Sequence, residues 1–108
     1  MKAIHKYRIG NERAQHVLSL KQGFKVVHSE YVITDKAVYL WIEEPLSVDI
    51  KTEEVCFKLA LSGDPVAESF DYVASAVDVF GPEAYHIFML NKAKDLSLDD
   101  SDKFIRAA

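Results

Sequence analysis

The sequence predicts an all-β domain, an antiparallel sandwich or small barrel-like fold of about seven short strands. Apolar residues alternate with polar ones at period two through most of the chain, the signature of half-buried strands. The alternating runs are rich in β-branched and aromatic residues, and clusters of Gly, Pro, Asn and Asp interrupt them about every ten residues. No segment before residue 91 carries a 3.6-residue apolar stripe long enough for a major helix. An α+β variant, with one short helix near Val66 to Ser69 or in the C-terminal segment, is the alternative.

The first strand runs from Lys2 to Ile9, with Ala3, His5, Tyr7 and Ile9 on one face and Ile4, Lys6 and Arg8 on the other. Gly10-Asn11-Glu12 breaks it, because glycine and asparagine adopt turn conformations at little cost. A second strand is expected around His16, Leu18 and Leu20, closed by Lys21-Gln22-Gly23. Phe24 to Ile33 forms the third, and Thr34-Asp35-Lys36 turns it back into Ala37 to Glu43 as a hairpin. This fourth strand puts Val38, Leu40 and Ile42 on one face and Tyr39, Trp41 and Glu43 on the other. Both faces are rather apolar, which suits a central or doubly covered strand.

Pro45, which lacks an amide hydrogen, ends that strand, and Leu46 to Glu54 reads as a polar connector. Val55, Phe57, Leu59 and Leu61 alternate with Cys56, Lys58 and Ala60 as the fifth strand. Ser62-Gly63-Asp64-Pro65 is the strongest turn in the chain. Phe70 to Phe80 supplies the sixth strand, and Gly81-Pro82-Glu83 leads into the seventh, Tyr85 to Leu90. These boundaries place one β-rich domain at residues 1–91. Residues 92–108 differ in kind: Asp95, Asp99, Asp100 and Asp102 crowd around Leu96 and Leu98, with Phe104 and Ile105 beyond. This acidic segment is expected to be a disordered tail or a short docked helix capped by Ser97 or Ser101.

At 108 residues the chain has the length of one domain, and its 49% hydrophobic content suffices for one core. The net charge of −4 argues against nucleic acid, whose binders concentrate basic residues to displace phosphate counterions. Cys56, the single cysteine, cannot pair within the chain, and nothing calls for an oxidising compartment. The first residues lack the apolar run of a signal peptide, and no stretch approaches the ~18 apolar residues of a membrane span. These points lead to a cytoplasmic expectation, with no membrane partner.

Chemistry-bearing residues do not assemble into a motif. His5, His16, His28 and His86 fall in four different strands without zinc-site spacing. Cys56 has only Lys58 as a basic neighbour on its face, and Ser62 sits in a turn, outside any nucleophile elbow. Glu43-Glu44 and Glu53-Glu54 are the carboxylate pairs that could serve as acid and base across a cleft, although solvated surface is the ordinary reading. The aspartates of the tail lack the glycine and distal glutamate of a calcium loop. No catalytic residue, metal or cofactor is therefore expected, and the chain reads as non-enzymatic.

Tyrosine and tryptophan are numerous for this length and are favoured at protein interfaces. Tyr39 and Trp41, if they share an exposed face, are the first candidates for partner binding. Leu96, Leu98 and Phe104 in the acidic tail are the second, as a docking peptide.

The order of short motifs resembles a family of small bacteriophage and prophage proteins with no assigned activity. Ile4-His5-Lys6-Tyr7, Val17-Leu18-Ser19-Leu20, Gly23-Phe24-Lys25-Val26-Val27-His28 and Leu40-Trp41 carry the first half of the resemblance. Phe57-Lys58-Leu59, Ser62-Gly63-Asp64-Pro65-Val66, Phe70-Asp71-Tyr72-Val73 and His86-Ile87-Phe88 carry the second. It spans residues 3–90, with Ser62-Gly63 where the family has Thr-Gly and Gly81 available for a hairpin glycine. The tail lies outside it. The resemblance implies a setting in the host bacterial cytoplasm and names no functional residue. The expected function is an accessory protein that binds and modulates a bacterial host protein. The alternatives are a virion component acting by homo-oligomerisation, or a ligand binder or enzyme whose site is scattered through the sequence.

Overall fold

The computed structural model describes residues 1–93. Seven strands follow in order: β1 (Lys2–Gly10), β2 (Gln15–Lys21), β3 (Lys25–Val32), β4 (Ala37–Pro45), β5 (Thr52–Leu61), β6 (Phe70–Asp78) and β7 (Glu83–Leu90). All pairings are antiparallel. They form a three-stranded sheet ordered β1-β4-β3 and a four-stranded sheet ordered β2-β5-β7-β6. The fold is an all-β sandwich, with two open sheets in place of a closed barrel, and residues 66–69 are irregular chain and a turn where a helical turn was the alternative.

The inner faces follow the alternation. Val38, Leu40 and Ile42 of β4 are fully buried against Leu20 of β2, Phe57 and Leu59 of β5 and Ile87 of β7. Each such side chain contributes about 1.5–3 kcal/mol by leaving water, and together they hold the two sheets face to face. Tyr31 of β3 stacks on Tyr85 of β7 at 5.4 Å and 3°. Ser29 Oγ of β3 donates to the Ser75 carbonyl of β6 at 2.8 Å, closing one side of the sandwich. As its two apolar faces required, β4 is the central strand of its sheet.

Several boundaries differ from expectation: β4 runs on through Pro45, which pairs with Lys2, β7 begins at Glu83, and two further shifts have identifiable reasons. β5 begins at Thr52, so Glu53 and Glu54 belong to a strand and not to a connector: they pair with Leu20 and Ser19 of β2. Two adjacent acids masked the strand because charge says nothing about backbone pairing when the side chains reach water. β6 stops at Asp78 and not at Phe80. The Asp78 carboxylate accepts from the backbone amides of Phe80 (3.1 Å) and Gly81 (3.2 Å), diverting those amides from the ladder.

Turn chemistry agrees with the sequence elsewhere. The Leu61–Asp64 turn closes with Asp64 N–H donating to the Leu61 carbonyl at 3.0 Å, and Gly63 sits at φ +93°, a conformation costly for any residue with a Cβ. Lys36 adopts φ +51° in the β3–β4 turn, the left-handed conformation a hairpin of this length needs. The β4–β5 connector is tied down by Lys21 Nζ, which donates to the carbonyls of Ser47 (3.2 Å) and Ile50 (3.1 Å).

Candidate functional site

Period two on β4 sends Val38, Leu40 and Ile42 inward and therefore Tyr39 and Trp41 outward. Both rings lie half-buried on the solvent side of the three-stranded sheet, with centroids 6.3 Å apart. Register places Lys6 and Arg8 of β1 opposite Trp41 and Tyr39, and His28 of β3 opposite Trp41 from the other side. The result is an aromatic strip. His28 packs on Trp41 at 5.2 Å, and the Lys6 ammonium lies 5.1 Å from the Tyr39 ring centre. The Tyr39 hydroxyl donates to Asp35, and Arg8 Nε approaches the same carboxylate at 3.9 Å. That hydrogen bond, then partial burial and the Asp35 charge, raise the phenol above its ordinary range. Ile4 of β1 and Val27 of β3 extend the strip with exposed apolar surface.

Of the residues singled out from sequence, the structure brings Tyr39 and Trp41 together as a pair. Leu96, Leu98 and Phe104 lie outside the described residues. The four histidines occupy β1, β2, β3 and β7, and no group of three His, Cys, Asp or Glu among the described residues has the geometry of a metal site. Glu43 and Glu44 do not converge as an acid–base pair, because strand alternation puts Glu43 outward, beside Lys2 at 3.6 Å, and Glu44 inward.

Glu44 makes the first polar cluster that sequence reasoning missed. It is 4% exposed and accepts from Tyr7 Oη, from His5 Nδ1 at 3.0 Å and from the backbone N–H of Lys21 at 3.0 Å. Burial alone would raise its pKa, but the donors from Tyr7, Lys21 and His5 outweigh it and hold the carboxyl below its usual value. The same contact, with burial as the larger cause, pushes the Tyr7 phenol up to about 12. One carboxylate thus joins β1 and β4 to β2 of the opposite sheet. Alternation did carry the signal: Glu44 continues the inward series Val38, Leu40, Ile42.

The second cluster lies on the outer face of the four-stranded sheet. His86 of β7 places Nε2 2.8 Å from Ser62 Oγ and Nδ1 2.8 Å from Ser75 Oγ of β6, and Ser75 Oγ meets Tyr72 Oη at 2.7 Å. A neutral imidazole donates from one nitrogen and accepts at the other, so the two serine hydroxyls take opposite roles. Tyr72 also packs edge-on against Phe88 at 5.9 Å. The arrangement can pass a proton along a surface chain, and no sequence spacing announces it because its members come from three segments.

A groove of about 450 Å³ opens at the end of β7, where Asn91 and Lys92 meet Val17, Glu53, Glu54, Val55, Cys56, Asp71 and Met89. No helix among the described residues is long and apolar enough to cross a membrane. Neither curated proteins nor solved structures yield a match to the chain. The family described as a domain of unknown function (DUF7352) matches residues 1–97, past the last strand, and the chain belongs to that family.

Proposed function

We propose that this domain is a non-enzymatic protein-binding module whose recognition surface is the outer face of the three-stranded sheet. The observation that carries the reading is the Tyr39–Trp41 pair on the fully paired central strand, flanked by His28 and Lys6. Rings held by a rigid ladder lose little conformational entropy on binding, and tyrosine and tryptophan dominate interface hot spots. With the resemblance to phage and prophage proteins, the partner we infer is a bacterial host protein in the cytoplasm, which the module would modulate by occupying its surface. The test is an affinity capture from bacterial lysate with the full chain and a Trp41→Ala variant, followed by titration of the retained protein. Loss of at least about tenfold in affinity on substitution supports this face. A partner retained equally by both baits places recognition elsewhere.

A second reading, assembly by homo-oligomerisation, is favoured by the exposed apolar tip of the β6–β7 turn, where Val79 is 67% and Phe80 79% exposed. Light scattering across a concentration series separates the two: self-association abolished by Phe80→Ser supports assembly, and a monomer throughout supports the binding module.

A further inference from the structure

Strand pairing brings Ser62, His86 and Ser75 into the order of a nucleophile, its base and the group that orients the base. Ser62 Oγ lies 2.8 Å from His86 Nε2, and His86 Nδ1 lies 2.8 Å from Ser75 Oγ. With the ring proton on Nδ1, the imidazole donates to Ser75, and Nε2 accepts the Ser62 O–H. Ser75 then donates on to Tyr72 Oη, 2.7 Å away, so every hydroxyl of the chain keeps a partner. In this tautomer the imidazole is placed to take the serine proton as the oxygen attacks.

The surroundings fix both groups and leave the serine accessible. β7 is paired on both sides, with β5 and with β6, so two ladders hold the backbone of His86. The turn that carries Ser62 is tied at both ends. Leu61 N–H donates to Asp64 Oδ2 at 2.9 Å, and Asp64 N–H donates to the Leu61 carbonyl at 3.0 Å. Arg13 Nη1 donates to both Asp64 carboxylate oxygens at 3.2 Å, joining the turn to the β1–β2 connection. Ser62 itself is exposed, and a Cβ at the neighbouring Gly63 would meet no atom within 4 Å. The space beside the hydroxyl is open to a reactant.

We propose that Ser62 is an acyl acceptor, which takes the acyl group of a small activated ester or thioester with His86 as general base and Ser75 as positioning residue. Ser62 Oγ attacks the carbonyl carbon and forms a new C–O bond, while its proton passes to His86 Nε2. The bond to the leaving group then breaks, and the departing phenolate or thiolate takes that proton from Nε2. The ring returns to its starting state, and one acyl group stays on the chain as a serine ester. Because the site is open to water, the donor must bring its own good leaving group. The recognition surface proposed above lies on the other sheet, and this modification site stands independently of it.

The experiment treats the folded full chain with p-nitrophenyl acetate and follows acetylation of individual serines by peptide mass spectrometry. Ser19 and Ser47 are the internal reference, being exposed and, among the described residues, without a histidine against them. Ser62 is expected to react faster than either by on the order of a hundredfold, the contribution of a positioned base. His86→Gln is expected to bring Ser62 down to the reference rate. Ser75→Ala is expected to slow the reaction, and Ser75→Thr, which keeps the hydroxyl, to restore it. Ser62 reacting no faster than Ser19 and Ser47 in the native chain overturns the proposal, and that comparison decides even if His86→Gln disturbs the fold. An undiminished rate in a folded His86→Gln variant also overturns it, and an undiminished rate in Ser75→Ala overturns the positioning role.

Discussion

Glu44, with three hydrogen-bond partners, and His86, with two, are both nodes of polar clusters, yet they sit on opposite sides of the sandwich wall. Glu44 faces inward and is nearly sealed from water; its donors come from β1 and from β2 of the other sheet. His86 faces outward, and its serine partners belong to its own sheet or to the turn beside it. A surface hydrogen bond exchanges with water at small net gain, whereas a buried one that loses its acceptor leaves donors with nothing to bind. Geometry of similar quality therefore has different consequences. The inner cluster is a structural requirement, and the outer one is dispensable to stability.

Breaking the inner node should have the largest effect. Glu44→Ala strands the Lys21 amide and the Tyr7 hydroxyl and is expected to cost about 2–4 kcal/mol in urea unfolding. If it costs under about 1 kcal/mol, water reaches the site and the contrast fails. Tyr7→Phe removes one donor and leaves the carboxylate two others, for an expected loss of about 1–2 kcal/mol in the same measurement.

The pH dependence sharpens the comparison. The folded carboxyl of Glu44 lies below its unfolded value, so its contribution is complete above the unfolded pKa and disappears as pH falls through the folded one. Urea midpoints measured from about pH 6 down to about pH 3 should fall less steeply in Glu44→Gln than in the native chain. Equal slopes would show that the acid limb belongs to other carboxylates. The smallest effects belong outside: Ser62→Ala and Tyr72→Phe should each change stability by no more than about 0.5 kcal/mol. A larger loss at Ser62 would mean that the outer chain also holds the β5–β6 turn in place.

Much of this architecture is legible in the sequence because a strand writes its two faces into alternate positions. All seven strands and the outward Tyr39–Trp41 pair follow from that rule, and the Ser62-Gly63-Asp64 turn follows from its turn-forming residues. What it does not contain is which strands meet. The Ser62–His86–Ser75 contacts arise only once β6 pairs with β7 and the β5–β6 turn folds over them. Glu53 and Glu54 show the complementary failure, where charge hid a strand whose backbone was paired throughout. Glu44 was visible by periodicity and was passed over because a carboxylate on an inner face runs against residue-type expectation.

The irregular registers of the two sheets have a consequence for how the protein stays apart from its own copies. Registers shift between Arg8 and Gly10 in β1, between Val26 and His28 in β3 and between Tyr72 and Ala74 in β6. All three strands are sheet margins, and at each a bulged residue bends the ladder that an incoming chain would have to match. β2 is the fourth margin, and its seven pairs to β5 run without interruption. Among the described residues, edge-to-edge growth therefore has one straight template from which to start.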